Sequence, residues 1–393
     1  MSDLDQFRQT TRQWLADNCP AGARGAGQIP WGSSKVSLEP AARLWLDRMI
    51  AQGWTVPTWP REYGGAGLTR DEYLVLMEEM RRIDARAPLT GRGVNYIGPT
   101  ILEFGTDAQK ARWLPRCARG EGGWCMGYSE PGAGSDLASL SCKAVRDGDH
   151  YVINGRKLWT SDAMEGDLIF ALVRTDPNAT KHEGISLILI DMRQRGVTVR
   201  PIRLISGDSP FNETLFEDAL AGHDDVIGPV NQGWTVGKRL LQFERSTHAG
   251  VNISGAQGRV ADDSLPDIVA RYTGRHGGRV ADAALRGRLL EYEMNARAHR
   301  LTQRRVMEEL QARAPGFGSS VVKLAGARLM KERHELQLSA LGQQGVGWDG
   351  PGFDAAELSA TRTWLRQKSL TIAGGTAEVQ LNIIAKRVLG LPD

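Results

Sequence analysis

The chain has 393 residues, with 49 Lys and Arg against 46 Asp and Glu, a formal charge of +3, and 41% hydrophobic and 24% charged residues. That balance belongs to an ordinary folded protein long enough for two or three substructures, and it argues against disorder and against electrostatic steering to nucleic acid. Four cysteines without CxxC spacing (Cys19, Cys117, Cys125 and Cys142) predict reduced thiols and a cytoplasmic protein. No apolar run approaches the ~20 residues that cross a bilayer, and the acidic start Met-Ser-Asp-Leu-Asp is unlike an export signal, so no membrane insertion is expected.

Helical periodicity dominates the first 120 residues, with amphipathic stretches at Leu4 to Asn18, Glu39 to Gln52, Thr69 to Ile83, Val94 to Phe104 and Asp107 to Arg119. From about 123 the pattern shortens to β-branched and aliphatic runs at Tyr151 to Ile153, Leu168 to Arg174, Ile185 to Asp191 and Val197 to Leu204. Asn154-Gly155 lies where a tight hairpin turn is expected. Helical spacing returns at Thr235 to His248, Asp282 to Arg313, Ser319 to Leu341 and Thr376 to Leu389. Strands flanked by runs of helices indicate an α+β protein rather than alternating βαβ units. The expected domains are a helical 1–122, an antiparallel β domain 123–228 and a helical 229–393.

Some familiar strings fail on context. Gly345-Val346-Gly347-Trp348-Asp349-Gly350 fits GxGxxG, but a helical pattern precedes it and Pro351-Gly352 follows, whereas a dinucleotide site needs a strand before and a helix after. There is no GxxxxGK[ST] loop, and His334-Glu335 lacks the second histidine of a zinc-protease helix. The seven histidines are scattered, so no metal site is expected. The Arg-rich stretch 286–313 is interleaved with Glu291, Glu293, Glu308 and Glu309, as on a solvated helix face.

Two other strings carry more. Met126-Gly127-Tyr128-Ser129-Glu130-Pro131-Gly132-Ala133-Gly134-Ser135-Asp136 is a polar glycine loop presenting backbone N–H groups and two hydroxyls. Asn154-Gly155-Arg156-Lys157-Leu158-Trp159-Thr160-Ser161 places an indole and two hydroxyls ready for a flat partner. Taken singly, each is a surface turn. Together they resemble the acyl-CoA dehydrogenase family. The resemblance extends through Tyr63-Gly64-Gly65-Ala66-Gly67, Gly105-Thr106-Asp107-Ala108-Gln109-Lys110 and Leu114-Pro115 to Gly374-Gly375-Thr376-Ala377-Glu378-Val379-Gln380 and Val388-Leu389-Gly390-Leu391-Pro392.

The resemblance implies a helical N-terminal domain, a central β domain and a C-terminal four-helix bundle. It also implies bound FAD and a coenzyme A thioester as substrate. On that mapping Met126, Tyr128 and Ser129 line the flavin, Trp159, Thr160 and Ser161 cover its other approaches, and Thr376 and Glu378 meet the rest of FAD. Ser135 contacts FAD or the substrate, and Arg245 and Gly375 fall on the substrate side. The implied chemistry is α,β-dehydrogenation, with an electron-transfer flavoprotein as acceptor.

Many relatives carry the catalytic Glu where this chain has Gly374, and some instead use a Glu-Arg pair on an earlier helix, matched here by Glu244-Arg245. Trp234, Gly237, Leu241, Glu244, His248 and Val251 recur at helical spacing, so Glu244 is expected on an inward stripe where burial favours a base, with Arg245 moderating the effect. Two places depart from the family: Gly274-Arg275-His276-Gly277-Gly278 stands for an Arg-x-x-Phe-Gly turn, and Ser339-Ala340-Leu341-Gly342-Gln343 for Gln-x-x-Gly-Gly. Both touch FAD contacts from a neighbouring subunit, which leaves a homodimer or homotetramer and an α2β2 heterotetramer as alternatives. A non-catalytic partner subunit and a same-fold oxidase, monooxygenase or desulfinase are the competing functions.

Overall fold

The computed structural model describes residues 2–248, 264–311 and 318–392, and only the backbone of 245–248, 307, 310 and 311. The N-terminal helices are α1 (Asp3–Asn18), α2 (Pro40–Ala51), α3 (Arg70–Arg82), α4 (Gly98–Phe104) and α5 (Asp107–Ala118). Three begin with reciprocal caps: Ser2 with Asp5, Thr69 with Glu72, and Thr106 with Gln109 each exchange side-chain and backbone bonds that satisfy otherwise orphaned N–H groups. Proline at the first position starts α2. The stretch Val94 to Phe104 divides into a π-helical turn, Gly93–Ile97, and α4. Tryptophans fill this layer: Trp14 lies 6.1 Å from Trp45 and 4.8 Å from Trp54, and Trp113 lies 5.4 Å from Trp124.

The sheet follows as β1 (Trp124–Gly127), β2 (Lys143–Asp147), β3 (His150–Ser161), β4 (Leu168–Arg174), β5 (Ile185–Asp191), β6 (Val197–Ile202), β7 (Phe211–Gly222) and β8 (Val226–Ile227). The spatial order is β6-β7-β3-β2-β4-β5-β8, with β1 also paired to β4. Long pairings are antiparallel except β1 with β4, whose register runs Trp124 to Leu168 through Gly127 to Ala171. The chain leaves β1 and returns only after the β2–β3 hairpin, and such a long connection permits a parallel pair. β4 and β5 are buried along almost their whole length, which is why they read as unbroken aliphatic runs.

The hairpin expected at Asn154-Gly155 lies elsewhere. The turn between β2 and β3 is Gly148-Asp149, and Asn154-Gly155 is interior to β3, at a register shift against β7. Asn154 donates to Asp218 Oδ1 at 2.9 Å and accepts from Asp218 N at 3.0 Å, closing this bulge. Gly155 has φ +146, and a Cβ there would meet Cys142 Cα at 2.7 Å, so the glycine serves close strand approach rather than a turn.

After β8 come α6 (Gly233–His248), α7 (Leu265–Thr273), the short hairpin β9 (Arg275–His276) and β10 (Arg279–Val280), α8 (Ala283–Gln311), α9 (Gly318–Leu341), α10 (Ala355–Gln367) and α11 (Ala377–Ile383). The Gly274–Gly278 segment is thus the α7 C-cap followed by a tight hairpin, with Arg275 bonded to Asp267 at 2.6 Å. The chain divides into two compact units, Met1–Ile202 with Pro210–Val260, and Arg203–Ser209 with Ala261–Asp393. The first holds the N-terminal helices, the sheet and α6. The second centres on a core of Leu265, Val269, Leu289, Tyr292 and Leu336. All four cysteines are buried free thiols, and among the described residues no helix is long and apolar enough to cross a membrane.

Candidate active site

The two strings that were paired by resemblance are joined physically in the first unit. Leu158 N donates to Ser129 O at 2.8 Å, so the glycine loop and the end of β3 run side by side. Beneath them Lys157 Nζ lies 2.7 Å from Glu130 Oε1 and also donates to Tyr128 O at 3.2 Å. Glu130 accepts in addition from Ser141 N at 2.7 Å, Ser141 Oγ at 2.9 Å and Cys142 N at 3.0 Å. Burial alone would raise the Glu130 carboxyl, but the Lys157 charge and these hydrogen bonds outweigh it and hold the group below its usual range.

β3 carries a second register shift between Lys157 and Thr160. There Trp159 adopts φ +61, a left-handed conformation that bulky residues rarely take, and its indole is 51% exposed. Ser161 is half-exposed, whereas Thr160 is fully buried with its hydroxyl enclosed in the sheet. Trp159 and Ser161 therefore share an accessible position that Thr160 does not. Met126 and Ser129 are half-exposed beside them, Ser135 is exposed on the glycine loop, and a Cβ at Gly132 or Gly134 would meet nothing. Tyr128 is 4% exposed, with its ring edge-on to Phe170 at 6.4 Å and its hydroxyl towards Gly237 of α6, so it belongs to the core behind the loop.

α6 brings Glu244 to this region. Gly237, Leu240, Leu241 and Glu244 follow one helical face; Leu240 is fully buried, and Glu244 is half-buried. The phenol of Tyr96 is pushed up to about 12, by burial first and then by the negative charge of Glu244, with Arg92 opposing. Burial and Glu244 likewise push Tyr128 well above its usual range. Both phenols thus lie within electrostatic range of the Glu244 carboxylate. Arg92 itself is bound to Asp162 at 3.0 Å, one residue beyond Ser161. The side chains of Arg245 and His248, and the whole of Val251, lie outside the described residues.

The remaining candidates lie in the second unit. Thr376 caps α11, its hydroxyl accepting from Val379 N at 3.3 Å, and Glu378 is exposed in the first turn. Gly374 and Gly375 both have positive φ, +66 and +92. Gln380 Nε2 donates to Gly374 O at 3.0 Å and Lys323 Nζ to Gly375 O at 2.5 Å. Among the described residues no group of three metal-ligating side chains comes together.

Sequence patterns describing the acyl-CoA dehydrogenase N-terminal, middle and C-terminal domains match residues 1–121, 125–219 and 231–389. The chain belongs to the acyl-CoA dehydrogenase family. It is 38% identical to acyl-CoA dehydrogenase IpdE1 of Mycobacterium tuberculosis over 395 residues, covering 100% of this chain and 99% of that one. Among solved structures it is similar to the Tcur3481-Tcur3483 steroid ACAD, with a TM-score of 0.74 and 29% identity over 99% of this chain and 97% of the other. It is also similar to the ChsE4-ChsE5 complex of M. tuberculosis, with a TM-score of 0.71 and 27% identity over 100% and 98%.

Acyl-CoA dehydrogenases are flavoproteins, and this chain is accordingly an FAD-dependent oxidoreductase. Its residues fit that cofactor. The exposed indole of Trp159 is set off from the strand, hydroxyls of Ser129 and Ser161 stand close by, and the unfilled space around Gly132 and Gly134 leaves backbone N–H groups accessible to a polar ligand. The buried Glu130–Lys157 pair and the inward Tyr128 were not legible as a support for this surface. Lysine in a β strand is the signal that could have found them, because a charge buried there requires a partner.

Proposed function

We propose that the chain catalyses α,β-dehydrogenation of an acyl-CoA thioester with Glu244 as the base. The observation that carries the reading is Glu244 half-buried on the α6 face that holds Gly237 and Leu240, within electrostatic range of Tyr96 and Tyr128 and in the same unit as the Trp159 surface, while position 374 has no carboxylate. Met126, Ser129, Trp159 and Ser161 would hold the flavin ring; Ser135, Arg245 and Gly375 would contact the thioester, and Thr376 and Glu378 the rest of the cofactor. FAD bound there supplies the hydride acceptor for the substrate β-carbon. Glu244 takes the proton from the α-carbon onto its carboxylate, and the electron pair left behind forms the new double bond.

The likeness to a steroid ACAD and to IpdE1 supports acyl groups from steroid or lipid breakdown as the substrate class. An electron-transfer flavoprotein is the proposed acceptor, and the cytoplasm the proposed site of action. The domain limits 1–122, 123–228 and 229–393 are supported by the three matched ranges.

The test is anaerobic mixing of flavin-loaded protein with a panel of linear, branched and polycyclic acyl-CoAs. Wild type bleaches its flavin with one class, and Glu244→Gln slows bleaching by about 10²–10⁴-fold; an unchanged rate rejects Glu244 as the base. A second reading has its own support: two of the similar structures carry paired names, Tcur3481-Tcur3483 and ChsE4-ChsE5, and the family turn at 274–278 is a bare hairpin here. On that reading the chain is one half of an α2β2 assembly. Protein that is colourless alone but takes up FAD when mixed with a sister chain supports it.

A further inference from the structure

A cavity of about 560 Å³ in the first unit plays no part in the chemistry above. It lies beneath residues 28–38, between α2, the end of α5 and the start of β4, and its volume is within the ~300–1,000 Å³ of small-molecule sites. Trp31, Val36, Leu38, Leu46 and Leu168 form an apolar wall, and Arg43, Arg116 and Arg193 line its polar part.

The covering segment is fixed in place. Ser34 N donates to Asp167 Oδ2 at 2.8 Å, Ser33 Oγ to Glu165 O at 2.6 Å, Lys35 Nζ to Gly166 O at 3.0 Å, and Thr90 N to Pro30 O at 2.8 Å. A preformed wall lowers the ordering cost of binding.

The charges lining the cavity do not balance. Arg43 is bound to Asp47 at 2.8 Å and Arg193 to Asp191 at 2.7 Å. Glu121 is held by two bonds from Arg119, at 2.6 and 2.9 Å. Asp167, 2% exposed, is occupied by Ser34 and by Gly123 N. Arg116 has no ion pair within 4 Å among the described residues, although it acts electrostatically on Glu121 and Asp191; its guanidinium lies over the Trp113 ring at 5.2 Å. The lining residues themselves, three arginines against Glu121 and Asp167, carry one net positive charge beside an apolar wall.

We propose that this cavity binds a small amphipathic monocarboxylate, its apolar body against Trp31, Val36 and Leu38 and its carboxylate on Arg116. Such a ligand is a free carboxylic acid rather than a thioester. Because Ser33 and Lys35 bond to the turn that follows Ser161, an occupant rests against the segment leading from the flavin surface.

Calorimetric titration of octanoate and octylamine into flavin-loaded protein tests this. Octanoate is expected to bind with one site per chain, and octylamine about tenfold or more weaker. Arg116→Gln weakens octanoate about tenfold, Arg116→Lys retains it, and Val36→Trp, which fills the cavity, abolishes it. Equal binding of the two probes, or octanoate affinity indifferent to both Arg116→Gln and Val36→Trp, overturns the proposal. Should Arg116→Gln not fold, the probe comparison and Val36→Trp decide. Glu244→Gln leaves octanoate binding intact, so failure of the proposed base and failure of this site are separable.

Discussion

Lys157 Nζ lies 2.7 Å from Glu130 Oε1, with the lysine side chain wholly and the glutamate almost wholly sealed from solvent. The pair ties the glycine loop to β3 directly under Trp159. Removing one partner strands the other charge, so Lys157→Met or Glu130→Gln is expected to cost about 3–5 kcal/mol in urea unfolding. Lys157→Met combined with Glu130→Leu should cost less than the sum of the single changes, and the single variants should purify with reduced flavin absorbance.

Acid sensitivity is expected from a second cluster. Glu79, 2% exposed, is held by Arg12 at 2.8 Å, Arg82 at 2.8 Å and Arg8 at 3.3 Å. The Arg12 hydrogen bond is the largest influence; with Arg82 and Arg8 it outweighs burial and brings the carboxyl from 4.5 to about 2. A depressed carboxyl stabilises the fold fully above its unfolded value and loses that contribution as pH falls through the folded one. About 3 kcal/mol should therefore disappear between pH 4.5 and 2. Glu79→Gln should flatten that part of a urea-midpoint profile against pH.

Trp159 is strained for the sake of its exposure. Its φ of +61 costs of order 1–3 kcal/mol, and its exposed ring meets Phe211 edge-on at 6.1 Å. Trp159→Gly should leave the cofactor-free protein as stable as wild type or more so in thermal melts, while flavin retention on dialysis falls. Loss of stability without loss of flavin would assign Trp159 a structural role instead.

Gly374 carries no base, and its backbone explains why restoring one is unfavourable. At φ +66, Gly374→Glu and Gly374→Ala should both destabilise by about 1 kcal/mol, since the cost is conformational and independent of charge. Matching unfolding midpoints for the two variants would show this.

Periodicity located the N-terminal helices within a residue or two, and β4 and β5 to the residue, because their burial patterns are simple. It missed β1, β2, β7 and β8, and α7 and α10 among the C-terminal helices. β7 alternates, but its phase slips by one at its own bulge around Glu217-Asp218, while β2 has one buried position, Ala144, among exposed ones. It misread Asn154-Gly155 for a related reason: a glycine needed for contact with Cys142 looks, in one dimension, like a glycine needed for a turn. The site was legible as strings but not as a surface. Which of Trp159, Thr160 and Ser161 face outward depends on a bulge that shifts the alternation by one, and Tyr96 joins Glu244 only through the packing of α6.

The flavin surface also has an assembly order. β3, which presents Trp159, is hydrogen-bonded to β2 on one side and to β7 on the other, and the second bulge is defined against Phe211 to Thr214. A chain still being synthesised has no complete binding surface until residue 222 has emerged, although every residue of the glycine loop and of the Trp159 turn has been made some sixty residues earlier. If the flavin is held on this proposed surface, its capture follows completion of the sheet, and retained flavin is expected to report a finished sheet rather than a finished loop.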